Sequence, residues 1–243
     1  MKILLTILFT ISLAQIVQKQ TKDLEKDILA YWTPERMKNA IPIPLPIVKH
    51  NRPNNTFSPF FSTQQVPVPL STPPYRMEGK LFLETPRGGA SCTATAVGNN
   101  AVLTAGHCVH DGSTGFYSNF MFVPQYQNGM APVGVWTASY VWTLAAWAYG
   151  GGTAFASDVG VLQVSSQNGA TLQNVVGSVS PIYNTNGAMN AMTLGYPANI
   201  GGGNVMIQST GTQSVGDTAY NPPTLKLPST MTFGASGGGC NFF

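Results

Sequence analysis

Three side chains in this sequence could together carry out acyl transfer: His107, Asp158 and Ser236. A serine hydroxyl is a weak nucleophile at neutral pH unless a base takes its proton. An imidazole serves as that base when a carboxylate holds its tautomer and stabilises its charged form. The chain contains three histidines, His50, His107 and His110. His50 lies in a proline-rich stretch, and His110 follows His107 by one helical turn, which would direct it to solvent. His107 remains as the base, next to Cys108 and at the end of the short apolar run Ala101-Val102-Leu103.

Asp158 opens the apolar run Val159-Gly160-Val161-Leu162, where an unpaired carboxylate would be costly to bury, so a partner is expected. Asp111 precedes Gly112, and a side-chain turn accounts for it. Ser236 stands in Gly234-Ala235-Ser236-Gly237-Gly238-Gly239. Small residues on both sides let the backbone turn tightly, so that two N–H groups can converge on one oxygen. The same string satisfies Gly-x-Ser-x-Gly, the nucleophile elbow of α/β-hydrolases. That elbow needs its acid and histidine after the serine, and only seven residues follow Ser236. No paired His or Cys spacing suggests zinc, and the chemistry requires no metal or organic cofactor.

Thr104-Ala105-Gly106-His107-Cys108 resembles the histidine motif of trypsin-like (chymotrypsin-fold) serine peptidases. Ser157 to Leu162 is similar to their aspartate motif, and Gly234 to Gly239 to their Gly-Asp-Ser-Gly-Gly-Pro signature, with Ala for Asp and Gly for Pro. Gly195-Tyr196-Pro197, followed by a glycine-rich turn, is similar to the secreted bacterial and glutamyl-endopeptidase-like branch. The resemblance runs from Gly79 to Gly239 in the family's order. It implies an all-β fold of two antiparallel Greek-key barrels and a protein or peptide substrate. It also implies that His107 is general base and then acid, that Asp158 orients it, and that Ser236 forms an acyl-enzyme. The N–H groups of Gly234 and Ser236 would hold the oxyanion.

Two departures qualify this. Thr230, six residues before Ser236, is uncharged where trypsin carries the acid of its specificity pocket, so no preference for Arg or Lys is expected. The family also builds strands after the nucleophile, whereas this chain ends at Cys240-Asn241-Phe242-Phe243. The second barrel is therefore expected to be incomplete and peptide turnover impaired, whether the chain as written is incomplete or a degenerate member. The alternative function is that of a non-catalytic homologue acting as a secreted binding module.

The elements that must position these residues read as short strands between turns. Lys80 to Glu84, Ala90 to Val97 and Ala101 to Thr104 form three, the last two joined as a hairpin by Gly98-Asn99-Asn100. Gly115 to Pro124, Val133 to Trp142, Val175 to Val179, Ala191 to Leu194 and Val205 to Thr212 follow, with no convincing helix among them. Such a pattern predicts a barrel or sandwich.

Residues 15–77 read differently. Thr21 to Ala30 has amphipathic helical spacing, Thr33-Pro34 caps a second helix, and Ile41 to Pro46 is proline-locked and extended. This stretch is expected to be a pro-segment or N-terminal extension, with Arg76 a candidate cut before a peptidase domain at 78–243. Residues 1–14, a short basic start and an apolar run, read as a signal peptide. The protein is thus expected to be secreted, monomeric and without stable membrane association, and Asn54 would be a glycosylation site.

Charge supports that class. Of 12 Lys and Arg residues, 11 precede residue 88, and the remainder of the chain has one base against three acids. That excludes a basic nucleic-acid groove there. Three cysteines allow one bridge in an oxidising compartment, and Cys92 with Cys108, 16 residues apart, is the expected pair. Cys240 is left over.

Overall fold

The computed structural model describes residues 15–44, 61–182, 189–217, 224–227 and 229–242. The expected signal peptide and Asn54 lie outside them. In chain order the elements are β1 (Ile16–Gln20), α1 (Glu25–Tyr31), α2 (Pro34–Asn39), β2 (Ile41–Pro42), β3 (Phe61–Gln65), β4 (Glu78–Thr85), β5 (Gly88–Ala96) and β6 (Ala101–Thr104). They continue as β7 (Ser118–Pro124), β8 (Trp136–Leu144), α3 (Ala145–Gly150), β9 (Gly160–Val164), α4 (Leu172–Val176), β10 (Met189–Gly195), β11 (Ile207–Asp217), β12 (Thr224–Lys226) and β13 (Cys240–Phe242).

Strands β4 to β9 close into a six-stranded antiparallel barrel, because β8 pairs with both β7 and β9. Its interior is filled by Leu81, Leu83, Cys92, Ala94, Ala96, Val102, Phe120, Phe122, Val141 and Leu162, all inaccessible to solvent. The second unit is an open antiparallel sheet in the order β12-β11-β10-β13, with β3 also on β11. The architecture is β-rich, with one closed barrel and one open sheet.

The strands follow the expected runs, with one exception. Val175 to Val179 is not a strand: residues 172–176 form α4, started by the Thr171 hydroxyl accepting the N–H of Asn174 and ended by Gly177 at φ 79°. A β-branched pair does not prevent a one-turn helix when a cap and a left-handed glycine bracket it. Helix α3 is likewise a short helix that the strand pattern did not suggest.

The N-terminal stretch packs on both units. β1 pairs with Tyr140–Leu144 of β8, and β3 pairs with Ile207–Gly211 of β11. The two expected helices form, with Pro34 at the first turn and the Thr33 hydroxyl accepting the N–H of Arg36. Their buried face supplies Ile28, Trp32 and Met37 to a second apolar cluster with Phe82, Met121, Val123 and Tyr196. Trp32 donates its indole N–H to the Asn119 carbonyl at 2.7 Å. Arg76 lies in a single 3-10 turn, its Nε donating to the Val176 carbonyl at 2.6 Å, and Met77 after it is buried.

β5 explains how the two units meet. Its apolar residues Ala90, Cys92, Ala94 and Ala96 face the barrel interior. The alternate set, Ser91, Thr93 and Thr95, is also buried. A period of two with hydroxyls on one face ordinarily marks a solvated side; here that side is covered by the turn carrying Ser236.

Candidate active site

β6 ends in a 3-10 turn, Gly106–Cys108, that presents His107. Cys108 is bonded to Cys92 of β5, with Cα atoms 6.2 Å apart. Closing a loop of this length stabilises the fold by about 3 kcal/mol, chiefly by restricting the unfolded chain. It also ties the histidine turn to the neighbouring strand. The antiparallel register of β6 on β9 pairs Thr104 with Gly160, which brings the residues after Thr104 alongside those before Gly160.

Asp158 meets His107 there in two ways. Its Oδ2 lies 2.7 Å from Nδ1, and its Oδ1 accepts the main-chain N–H of His107 at 2.7 Å. Both side chains are nearly inaccessible. Gly106 makes the approach possible, since a Cβ there would stand 2.9 Å from Asp158 Oδ1 and 2.9 Å from the Trp147 ring. Trp147, buried on α3, packs its ring 6.1 Å from the imidazole and donates its indole N–H to the His110 carbonyl.

His110 is not directed to solvent. It is buried, its Nδ1 accepts the N–H of Gly112, and its ring meets Phe116 edge-on. The 3-10 turn ends before it, so the helical spacing that pointed it outward does not apply. Burial lowers its pKa, against the opposing effect of nearby Asp111. Asp111 is a turn residue: it accepts the N–H groups of Ser113, Thr114 and Gly115 and the Thr114 hydroxyl. Burial alone would raise its carboxyl; these bonds outweigh that and hold it at about 2.

Ser236 sits in the turn between the two units. Its carbonyl accepts the N–H of Thr93 at 2.9 Å and lies 3.7 Å from Cys108 Sγ, beside His107. Gly237, at φ 84°, must be glycine: a Cβ there would stand 2.1 Å from Thr104 Oγ1 and 2.5 Å from the Thr93 carbonyl. The Ser236 hydroxyl and His107 Nε2 are both buried, and neither has a hydrogen-bond partner among the described residues. His107 therefore meets Asp158 directly, while Ser236 is brought to the same region without a bond to the imidazole.

The N-terminal stretch reaches this site. Ile41 and Pro42 run parallel to Ala90 and Ser91 of β5, and the Ile43 N–H donates to the Ser91 carbonyl at 3.0 Å. Pro42 packs beside Gly234. Ile41 to Pro44 share with His107, Trp147 and Arg87 the lining of a cavity of about 550 Å³. Thr230, exposed, accepts from Asn199 Nδ2 through its carbonyl. Cys240 is unpaired and exposed in β13.

Sequence reasoning missed the buried residues that support the two turns: Thr93 and Glu78 at the serine turn and Trp147 at the histidine turn. Glu78 accepts the Gly239 N–H at 3.0 Å and the Thr95 hydroxyl at 2.8 Å. The signal for Thr93 and Thr95 was the apolar–hydroxyl alternation of Ala90 to Ala96, which reads equally well as a strand wetted on one face.

A family model described as Trypsin matches residues 74–215, a span that includes His107 and Asp158 and ends before Ser236. Among solved structures, protease Anisep from Arthrobacter nicotinovorans is 31% identical, with a TM-score of 0.65 over 71% of this chain and 80% of that one. A thermostable serine protease, AL20, from an extremophilic microorganism is 32% identical, with a TM-score of 0.63 over 70% and 79%. A Glu endopeptidase structure, at 21% identity and a TM-score of 0.54 over 73% and 78%, shares the fold. An extracellular metalloprotease of Bacillus subtilis is 27% identical over 101 residues, 41% of this chain and 32% of that protein. The matched region thus spans about a third of that relative's length. The residues here do not fit a metal: among the described residues the group with converging ligand atoms is Cys92, His107 and Cys108, and its two sulfurs are bonded to each other.

Proposed function

This chain belongs to the trypsin family, and on that premise we propose that it is a secreted serine endopeptidase, with His107, Asp158 and Ser236 as its catalytic residues. The observation that carries the reading is the contact of His107 Nδ1 with Asp158 Oδ2 at 2.7 Å, which leaves Nε2 without a partner. An ionised carboxylate only accepts hydrogen bonds, so it holds the proton on Nδ1 and leaves the Nε2 lone pair as the base.

The reaction then runs as two acyl transfers. Nε2 takes the Ser236 proton as Oγ forms a bond to the substrate carbonyl carbon, and the carbonyl π pair moves onto oxygen. The N–H groups of Gly234 and Ser236 receive that charge. Collapse breaks the C–N bond, the leaving amine takes the proton from His107, and the acyl group stays on Ser236. Water, deprotonated by the same nitrogen, attacks the ester and releases the acid and the free serine.

The N-terminal stretch acts in this reading as a pro-segment. Its residues Ile41 to Pro44 line the cavity that His107 also lines, so they stand where a substrate chain would approach. With Thr230 uncharged, the residue before the cleaved bond is not Arg or Lys.

Treatment of the purified secreted protein with a fluorophosphonate probe tests the assignment. Ser236 should become labelled, and Ser236→Ala should not. A folded wild-type protein that takes no label, alone and after N-terminal processing, would establish the non-catalytic binding module instead.

A further inference from the structure

Thr93 is fully buried on β5, one residue from the disulfide, and all of its polar atoms are engaged. Its N–H donates to the Ser236 carbonyl at 2.9 Å. Its hydroxyl donates to the Gly234 carbonyl at 2.7 Å and accepts the N–H of Tyr196 at 2.9 Å. Its own carbonyl accepts the Thr104 hydroxyl at 2.8 Å, three residues before His107. One residue thus touches the serine turn at two points, the histidine segment at one, and Tyr196, the residue that follows β10 of the open sheet.

We propose that Thr93 is the positioning residue of this site: its hydroxyl holds the turn carrying Ser236 in register with the segment carrying His107. The inference rests on the peptidase reading above and names what keeps its two reacting groups aligned. Between the carbonyls that Thr93 holds stands Ala235, whose methyl group can make no polar anchor. The turn is rich in glycine and intrinsically loose, and the backbone contacts must therefore fix it. Holding the Gly234 carbonyl fixes the peptide plane between Gly234 and Ala235, and with it the path of the chain from the oxyanion residue to Ser236. Holding the Ser236 carbonyl fixes the nucleophile's own backbone. A buried hydroxyl with one donor and one acceptor satisfied cannot rotate to other partners.

The variant that isolates the hydroxyl is Thr93→Val, which keeps the shape and the main-chain N–H. A displaced nucleophile of about 1 Å lowers turnover by about 100-fold, so kcat and the rate of fluorophosphonate labelling should fall by about that factor. KM should change by less than about threefold, since substrate binding is untouched. Thr93→Ser restores the hydroxyl and should return both rates to within about threefold of wild type. If Thr93→Val does not fold, Thr93→Ala provides the same comparison with a side chain that fits the same space.

The inference is overturned if the folded hydroxyl-less variant labels as fast as wild type. Thr93→Ser losing as much as Thr93→Val would also overturn it. A wild-type protein that takes no label defeats the peptidase reading itself, and this inference with it. A labelled wild type with an unaffected Thr93→Val defeats the inference alone.

Discussion

Asp158 grips His107 at both its ring and its backbone: Oδ2 is 2.7 Å from Nδ1, and Oδ1 accepts the main-chain N–H at 2.7 Å. One carboxylate therefore sets where the residue sits and which ring nitrogen carries the proton. A hydrogen bond to the ring alone would leave the backbone turn free to shift.

Asp158→Asn should separate these roles. An amide can present its oxygen to one of the two N–H groups only, and its NH₂ then faces the other. The imidazole tautomer needed for proton abstraction is lost, with an expected fall in kcat of about 10⁴-fold. Thermal unfolding should move little by comparison. Steady-state kinetics on a chromogenic peptide, beside a calorimetric scan, checks both; a kcat within tenfold of wild type would remove Asp158 from the mechanism.

Stability should pass through a minimum near neutral pH, because Glu78 and Lys80 are buried in opposite senses. Burial pushes the Glu78 carboxyl up to about 8 from 4.5, against the bonds from Thr95 and Gly239. Its stabilising effect is complete below 4.5 and is lost as pH rises through 8. Burial pushes the Lys80 ammonium down to about 7 from 10.5. Its effect is complete above 10.5 and is lost as pH falls through 7. Each group changes stability by at most about 1.4 kcal/mol per pH unit in its own window. Urea midpoints at several pH values should be lowest between pH 7 and 8, and Glu78→Gln should abolish the fall from acid to neutral pH. A wild-type profile that rises steadily from acid to alkaline pH would contradict the assignment.

Loosening Ile43 should raise reactivity. Ile43 is buried in the barrel-side cluster and its N–H is bonded to the Ser91 carbonyl. A charge in Ile43→Asp cannot remain in that seat, so residues 41–44 should leave the cavity more often. If the covered form predominates, opening it raises the competent fraction in proportion, by about tenfold for a shift from 5% to 50%. The rate of fluorophosphonate labelling measures this directly; an unchanged or slower rate would show that the segment is no brake.

Much of the molecule is legible in the sequence. The β-strand runs other than Val175 to Val179, the Thr33-Pro34 helix start and the paired Cys92 and Cys108 all depend on local geometry, or on a short loop, and they form where expected. His107 and Asp158 could be singled out because each is a polar group set at the end of an apolar run, which is unfavourable unless a partner is near. Other features depended on what the neighbouring chain covers. His110 is buried because its turn ends early, and Val175-Val176 closes a helix because Thr171 and Gly177 bracket it.

The chain alone therefore determined the family-type motifs and the order in which they occur. Only the tertiary structure decided that the N-terminal stretch adds strands to both units and lays Ile41 to Pro44 beside His107. It also decided that the hydroxyl face of β5 looks inward at Ser236 through Thr93. The physical reason is that alternation specifies two faces of a strand but not what each face meets. A hydroxyl is equally satisfied by water or by a buried carbonyl, and the choice is made only when the two units close over it.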